Sequence, residues 1–198
     1  NTAVGTESLR NNLTASNNTA FGRSALKTNT TGVDNVAVGG SALTAATGNY
    51  NTAVGYVAMN GTTTGTRNTG VGRGALSGNT SGSRNIAIGM NSLGSNLAAN
   101  DNTAVGYDTL SLNTSGIQNV AIGAYALDAN TTANSNTAVG YVALSANTTG
   151  INNVSVGHNS SLANTTGAAN TAIGQRALAS NTSGNNHVAI GRNALSSN

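Results

Sequence analysis

The sequence predicts an all-β chain wound as a parallel β-solenoid, or β-roll, with one coil per 17-residue repeat. Three observations predict it: a glycine period, fixed apolar columns and fixed charged columns. The glycines fall at Gly5, Gly22, Gly39, Gly55, Gly72, Gly89, Gly106, Gly123, Gly140, Gly157, Gly174 and Gly191, seventeen apart except for the sixteen between Gly39 and Gly55. A period of seventeen lies just below the range of leucine-rich and helical repeats and fits one lap of a stacked coil. Residues 1–198 therefore form a single array of about twelve coils, and the repeat running through both ends reads as a segment of a longer fibre.

Each coil opens on a strand. The residue before the glycine is always apolar and mostly β-branched, from Val4 through Phe21, Ile88 and Ile122 to Ile190, as a stacked strand prefers. The residue two before is always small, for example Ala3, Gly70, Ser155 and Ala189, and the residue three before is Thr, Val or Ile. Alternate residues of a pleated strand point to opposite faces, so Thr and Val share one face while Ala and Asn share the other.

The glycine makes a corner, and a second strand or bent segment follows through Ala-Leu. Leu stands four after the glycine, with Met59 and Ser161 as substitutes and Leu162 beside the latter. Asn stands seven after it in ten repeats and opens Asn-Thr-Thr-Gly or Asn-Thr-Ser-Gly, which is turn chemistry. Coils stacked about 4.8 Å apart would give a rod roughly 55 Å long.

All thirteen charged residues keep to four columns. Arg23, Arg73 and Arg192 stand one after the glycine; Glu7, Asp108 and Arg176 two after; Arg10, Lys27 and Asp128 five after; Asp34, Arg67, Arg84 and Asp101 five before. Those columns face water, because an unpaired charge in an apolar column would be very costly.

Four residues before the glycine lies a structural Asn ladder: Asn1, Asn18, Asn35, Asn51, Asn68, Asn85, Asn102, Asn119, Asn136, Asn153 and Asn170, with His187 last. Stacked carboxamides hydrogen-bond along a rod, and polar groups repeated in a buried stack must be satisfied. If the valines fill the coil, the small, uncharged column faces outward, and close contact with another protomer would explain its size. The strand is then buried on both sides by chains of the same kind; spacing leaves open whether Ala or Val meets the partner.

The core motif, quoted as NTAIG at 170–174 and HVAIG at 187–191, resembles the head repeats of trimeric autotransporter adhesins, the YadA-like heads, and is also similar to phage tail-fibre repeats. The resemblance covers all twelve repeats. It implies a left-handed parallel β-roll, three chains around one axis as a homotrimer, an extracellular, cell-surface or virion-tail location, and adhesion to a host surface receptor or glycan, or service as a spacer. The repeat here is a few residues longer than in the adhesin heads, with Asn-Thr-Thr-Gly enlarging the turn.

Composition excludes several functions. With 7% charged and 3% aromatic residues, no proline and a formal charge of +3, the chain offers neither a nucleic-acid surface nor the signature of disorder. No cysteine means no disulfide and no thiol chemistry. No segment is apolar enough to span a bilayer, so no membrane contact is expected here. His158 and His187 lie in different columns without Cys or acid at ligand spacing, and no phosphate loop or acidic calcium repeat occurs. No enzyme activity, metal or cofactor is expected.

From the sixth repeat the third residue before the glycine alternates, as in Ile86, Thr103, Val120 and Thr137, which suggests a 34-residue unit interleaving wetter and drier layers. Tyr107 and Tyr141 follow the glycine in Thr-type coils. Sequons in the turn column, at Asn12, Asn29, Asn79, Asn113, Asn130, Asn147, Asn164 and Asn181, mark candidate glycosylation sites, with others at Asn17, Asn60, Asn153 and Asn159. Turn chemistry is the favoured reading of the column, since Asn and Gly suit tight turns without any glycan. A structural or adhesive fibre segment is the favoured function. A phage tail-fibre shaft and an ice-binding solenoid using Thr columns are the alternatives, the last weakened because Thr-Thr pairs in a turn diverge.

Overall fold

In a computed structural model that describes residues 1–197, the chain winds into a β-solenoid with one short parallel strand per repeat. Asn198, the last member of the turn Asn column, lies outside the described residues. The strands are β1 (Thr2–Val4), β2 (Thr19–Phe21), β3 (Val36–Val38), β4 (Thr52–Val54), β5 (Thr69–Val71), β6 (Ile86–Ile88), β7 (Thr103–Val105), β8 (Val120–Ile122), β9 (Thr137–Val139), β10 (Val154–Val156), β11 (Thr171–Ile173) and β12 (Val188–Ile190). They form one twelve-stranded sheet in sequence order. Like pairs with like: Thr2 faces Thr19, Ala3 faces Ala20 and Val4 faces Phe21.

The 16-residue coil leaves this register intact, with Val36 opposite Thr52 and Ala37 opposite Ala53. Its missing residue comes out of the turn, where Thr47-Gly48 stands for Thr63-Thr64-Gly65. The Gly48 N–H donates to the Thr63 carbonyl at 3.0 Å, as the Thr64 N–H donates to that of Thr80 at 3.1 Å. One residue is thus absorbed without slipping a strand.

Only one side of each coil is a strand, and the segment after the corner is bent, not a second strand. Its backbone groups still pair between coils. The N–H of Leu26 donates to the Ala42 carbonyl at 3.1 Å and that of Thr28 to Thr44 at 2.9 Å, both toward the next coil. The N–H of Ser24 donates back to Thr6 at 2.9 Å. Buried peptide groups must find partners; here the neighbouring coil supplies them.

Three non-glycine positions per coil sit in the left-handed region, at two and four after the glycine and five before it, such as Ser24 (φ 59°), Leu26 (φ 49°) and Asp34 (φ 57°). Each costs an L-residue about 1 kcal/mol or more, and persists only where the surroundings over-determine it. The corner is stricter. At Gly140, with φ 140°, a Cβ would lie 2.6 Å from the Gly157 carbonyl oxygen of the next coil, so the stacking distance itself demands glycine.

The strand's small column points inward. Ala37, Ala53, Ala87, Ala104, Ala121 and Ala138 are fully buried, beside the small residues three after the glycine and the leucines after them. Val and Ile point outward. The conditional picture of valines filling the coil is therefore replaced: the interior is too thin for them, and alanine is small because it lies inside. The Thr and Val alternation before it also faces outward, so it patterns the surface and not interior layers.

The apolar core divides at the tenth coil, one cluster running to Leu144 and the other starting at Ala172. In that coil Ser155, Ser160 and Ser161 stand in the core columns. The Ser155 and Ser160 hydroxyls pair at 2.6 Å, but the buried Ser161 Oγ has no partner. Leu162 is only half-buried and does not replace the missing leucine. Ser161→Leu, matching Leu144 and Leu178 in its column, is expected to stabilise the fold by about 2 kcal/mol, by burying apolar area and removing an unpaired hydroxyl. Thermal melting checks this; an unchanged or lowered midpoint would mean that the coil has closed around serine.

Candidate functional site

The polar columns hold the rod together. Each asparagine that leads a strand accepts the backbone N–H of the corresponding asparagine one coil later, and its amide closes its own lap. Thus Asn136 N–H donates to Asn119 Oδ1 at 3.0 Å, while Asn136 Nδ2 donates to the Gly150 carbonyl at 2.8 Å. The same pair of bonds recurs at Asn35, Asn51, Asn68, Asn85, Asn102, Asn119, Asn153 and Asn170. Asn18 does likewise on Asn1, which is exposed at the first coil. His187 keeps the backbone half, donating its N–H to Asn170 Oδ1 at 3.0 Å. Side chain thus bonds chiefly to backbone, with amide-to-amide contacts secondary.

The amide-to-amide ladder is more complete in the turn column. Nδ2 of Asn96 donates to Asn79 Oδ1 at 2.8 Å, Asn113 to Asn96 at 3.2 Å and Asn130 to Asn113 at 3.0 Å; Asn147, Asn164 and Asn181 continue it. Each also donates Nδ2 to the carbonyl three residues on, such as Gly116 for Asn113. The run is broken by Ala46 and Thr62. There Asn29 Oδ1 accepts the Gly32 N–H of its own turn at 2.8 Å, and Thr62 Oγ1 is buried without a partner.

This geometry bears on the sequons. An N-glycan is bonded to Nδ2, and at Asn29, Asn79, Asn113, Asn130, Asn147, Asn164 and Asn181 the side chain lies inside the coil with that atom already donating. The folded coil leaves no room for a sugar on them. Asn12 is half-buried and donates Nδ2 to Ala15. Among the remaining sequons Asn17 and Asn60 are exposed, Asn159 is half-buried and Asn153 is buried in the strand-leading column.

The adjoining Thr column is engaged as well. The hydroxyls of Thr63, Thr80, Thr131 and Thr165 donate to the carbonyl of the equivalent residue one coil on. The donor of each hydroxyl is thus engaged within the protein, while its oxygen can still accept from water.

Two surfaces remain for partners. The first is the outward strand face, a row of Thr, Val and Ile free of charge from β1 to β12. Ile88, Ile122 and Ile173 are about two-fifths exposed, and Phe21 is 56% exposed. The second lies just past the corner. There Tyr107, Tyr125, Tyr141 and His158 from four successive coils form an aromatic row, with Tyr107 edge-on to Tyr125 at 5.3 Å, Tyr125 edge-on to Tyr141 at 6.2 Å, and His158 stacked on Tyr141 at 5.5 Å. Tyr125 comes from a different column, so the sequence spacing alone did not join it to the others.

Charges sit outside, and none is fully buried. Arg84 and Asp101 pair at 2.6 Å, and the hydrogen bond from Arg84 holds the Asp101 carboxyl below its usual range. Such an exposed pair contributes little. Hydrogen bonding to the Asp108 carboxylate, reinforced by its charge, raises the Tyr107 phenol. Burial pushes the Asp128 carboxyl above the ordinary 3.8, and its Oδ1 has no partner. No three His, Cys, Asp or Glu residues converge as a metal site among the described residues.

No family model, curated protein or solved structure matches the chain. The likeness to adhesin-head repeats therefore rests on the motif.

Asn119→Ala is expected to cost about 2 kcal/mol, because the Asn136 N–H loses its partner inside the coil and the Ala133 carbonyl keeps only the longer bond from Asn130. Truncating exposed Asn60 should change stability by no more than about 0.5 kcal/mol; equal losses from the two in chemical denaturation would remove the column's structural role. Asp128 has a raised folded-state pKa, so the folded protein binds the extra proton and stability falls as pH climbs from about 4 through that pKa. Asp128→Ser, matching Ser111 and Ser145 in the same column, should raise the melting temperature at pH 7 and lose that advantage in acid. A gain independent of pH would contradict the assignment.

Proposed function

We propose that this chain is a structural and adhesive segment of an extracellular or cell-surface fibre, acting without catalysis and associating with copies of itself, three around a common axis. The observation that carries this is the uncharged β-branched face running the length of the sheet. An apolar strip of this extent on a soluble protein marks an interaction surface.

A second copy is the occupant that fits best. Its rows repeat at the same inter-coil step, so each Val or Ile ridge meets an equivalent groove in every coil. A globular partner would match one or two rows only. Symmetric assembly of identical chains is also the commonest form of oligomer. The trimeric arrangement comes from the resemblance to adhesin heads, as does the surface location.

Light scattering coupled to size exclusion tests the proposal. The expected mass is three times the 19.4 kDa chain, falling to one chain when Ile88 and Ile122 are both replaced by Lys. A single-chain mass for the unaltered protein would refute self-association through this face.

A further inference from the structure

We infer that a cleft at the open end of the aromatic row binds a neutral hexose, as a free sugar or as the terminal unit of a glycan. The cleft has a volume of about 330 Å³ and spans the fourth to seventh coils, just past the corner and off the strand face. That volume is at the small end of ligand pockets, which run from roughly 300 to 1,000 Å³, and suits one ring better than an extended chain.

The cleft exists because of one residue. In the column two after the glycine, Gly74 stands between Val57 and Asn91 and contributes no side chain, leaving a gap in an otherwise continuous row. Arg73, Met90 and Tyr107 border it along the neighbouring column, and Asp108 and Asn91 along its own. The Tyr107 ring closes one end. Its partner Tyr125 does not line the cleft, so the ring is held edge-on to Tyr125 while still bordering the opening.

The lining has the chemistry of sugar recognition. A pyranose offers an apolar C–H face, for which Tyr107 and Met90 provide contact, and hydroxyls that both donate and accept. Asp108 accepts from hydroxyls, and its orientation is fixed by Asn91 Nδ2, which donates to Asp108 Oδ1 at 2.7 Å. The Arg73 guanidinium supplies donors; its Nη1 lies 4.0 Å from the Met90 sulfur. One cation and one anion border the cleft, so net charge does not select an ion. A neutral, polyhydroxylated ligand uses both signs.

This deepens the adhesive proposal by naming a ligand class, but it stands on a different surface from the one that self-associates. Its failure would leave the oligomer mass untouched, and failure to trimerise would not remove the cleft.

Saturation-transfer NMR with methyl glycosides of glucose, galactose and mannose tests it on the full chain. At least one should receive saturation, strongest at ring C–H protons, with Tyr107→Ala weakening its affinity about tenfold. Gly74→Val should abolish binding by filling the gap. That variant is expected to fold, since Val57 and Val142 adopt φ 51° and 55° in the same column and a Cβ at Gly74 meets nothing closer than 3.9 Å; circular dichroism verifies it. Two results would overturn the inference: no saturation of any glycoside, or saturation that survives in folded Gly74→Val. Stronger competition by a zwitterionic amino acid such as alanine than by any glycoside would also overturn it, pointing to the Arg73 and Asp108 pair as a charge clamp.

Discussion

The constraint on which everything else depends is the thinness of the coil. The apolar interior of a seventeen-residue lap is little more than one alanine of the strand, one small residue and one leucine. That is too little apolar volume to hold a chain in which many peptide groups are buried. Each lap must therefore satisfy its backbone through the lap beside it, and the two asparagine columns complete this where the strand ladder ends. A polar side chain placed every seventeen residues becomes a continuous hydrogen-bonded file, since each carboxamide both donates and accepts.

The same constraint explains the rigidity of the sequence. Corner glycines stay glycine because the next coil's carbonyl occupies the space a Cβ would need. Leucines accept positive φ because their neighbours above and below hold them in it. Variation is widest at positions that point away from the stack, and there the charges, the tyrosines and His158 collect. A fold of this kind divides its columns: interior ones set the architecture, and the strand face and the columns beyond the corner form the surface on which the proposed assembly and ligand contacts rest.

Much of this is legible in the sequence. The period fixes the coil, the Asn column announces a buried polar file, and the four charged columns mark the outside, where Arg23, Arg67 and Arg192 indeed lie exposed. The direction of the strand is not legible, because Ala and Val columns are both apolar and a pleat offers no sign of which face is inside. Asn113 reads first as a turn residue and second as a sequon; only the stacked neighbour shows its amide already engaged. Leu162 next to Ser161 looks like a compensating shift, yet adjacent residues of a bent segment face different ways. Nothing in a leucine side chain signals a left-handed backbone, and nothing in the spacing shows that Tyr125 joins Tyr107 and Tyr141.

Coil is joined to coil at the asparagine that leads each strand. Through-hydrogen-bond scalar coupling measures this contact directly, in a protein labelled with nitrogen-15 and carbon-13. A coupling is predicted from the backbone nitrogen of Asn136 to the side-chain carboxamide carbon of Asn119, and likewise from Asn119 to Asn102, each linking residues seventeen apart. If these amides instead couple to carbonyls within their own lap, or exchange freely with solvent, the files of asparagine do not hold the coils together.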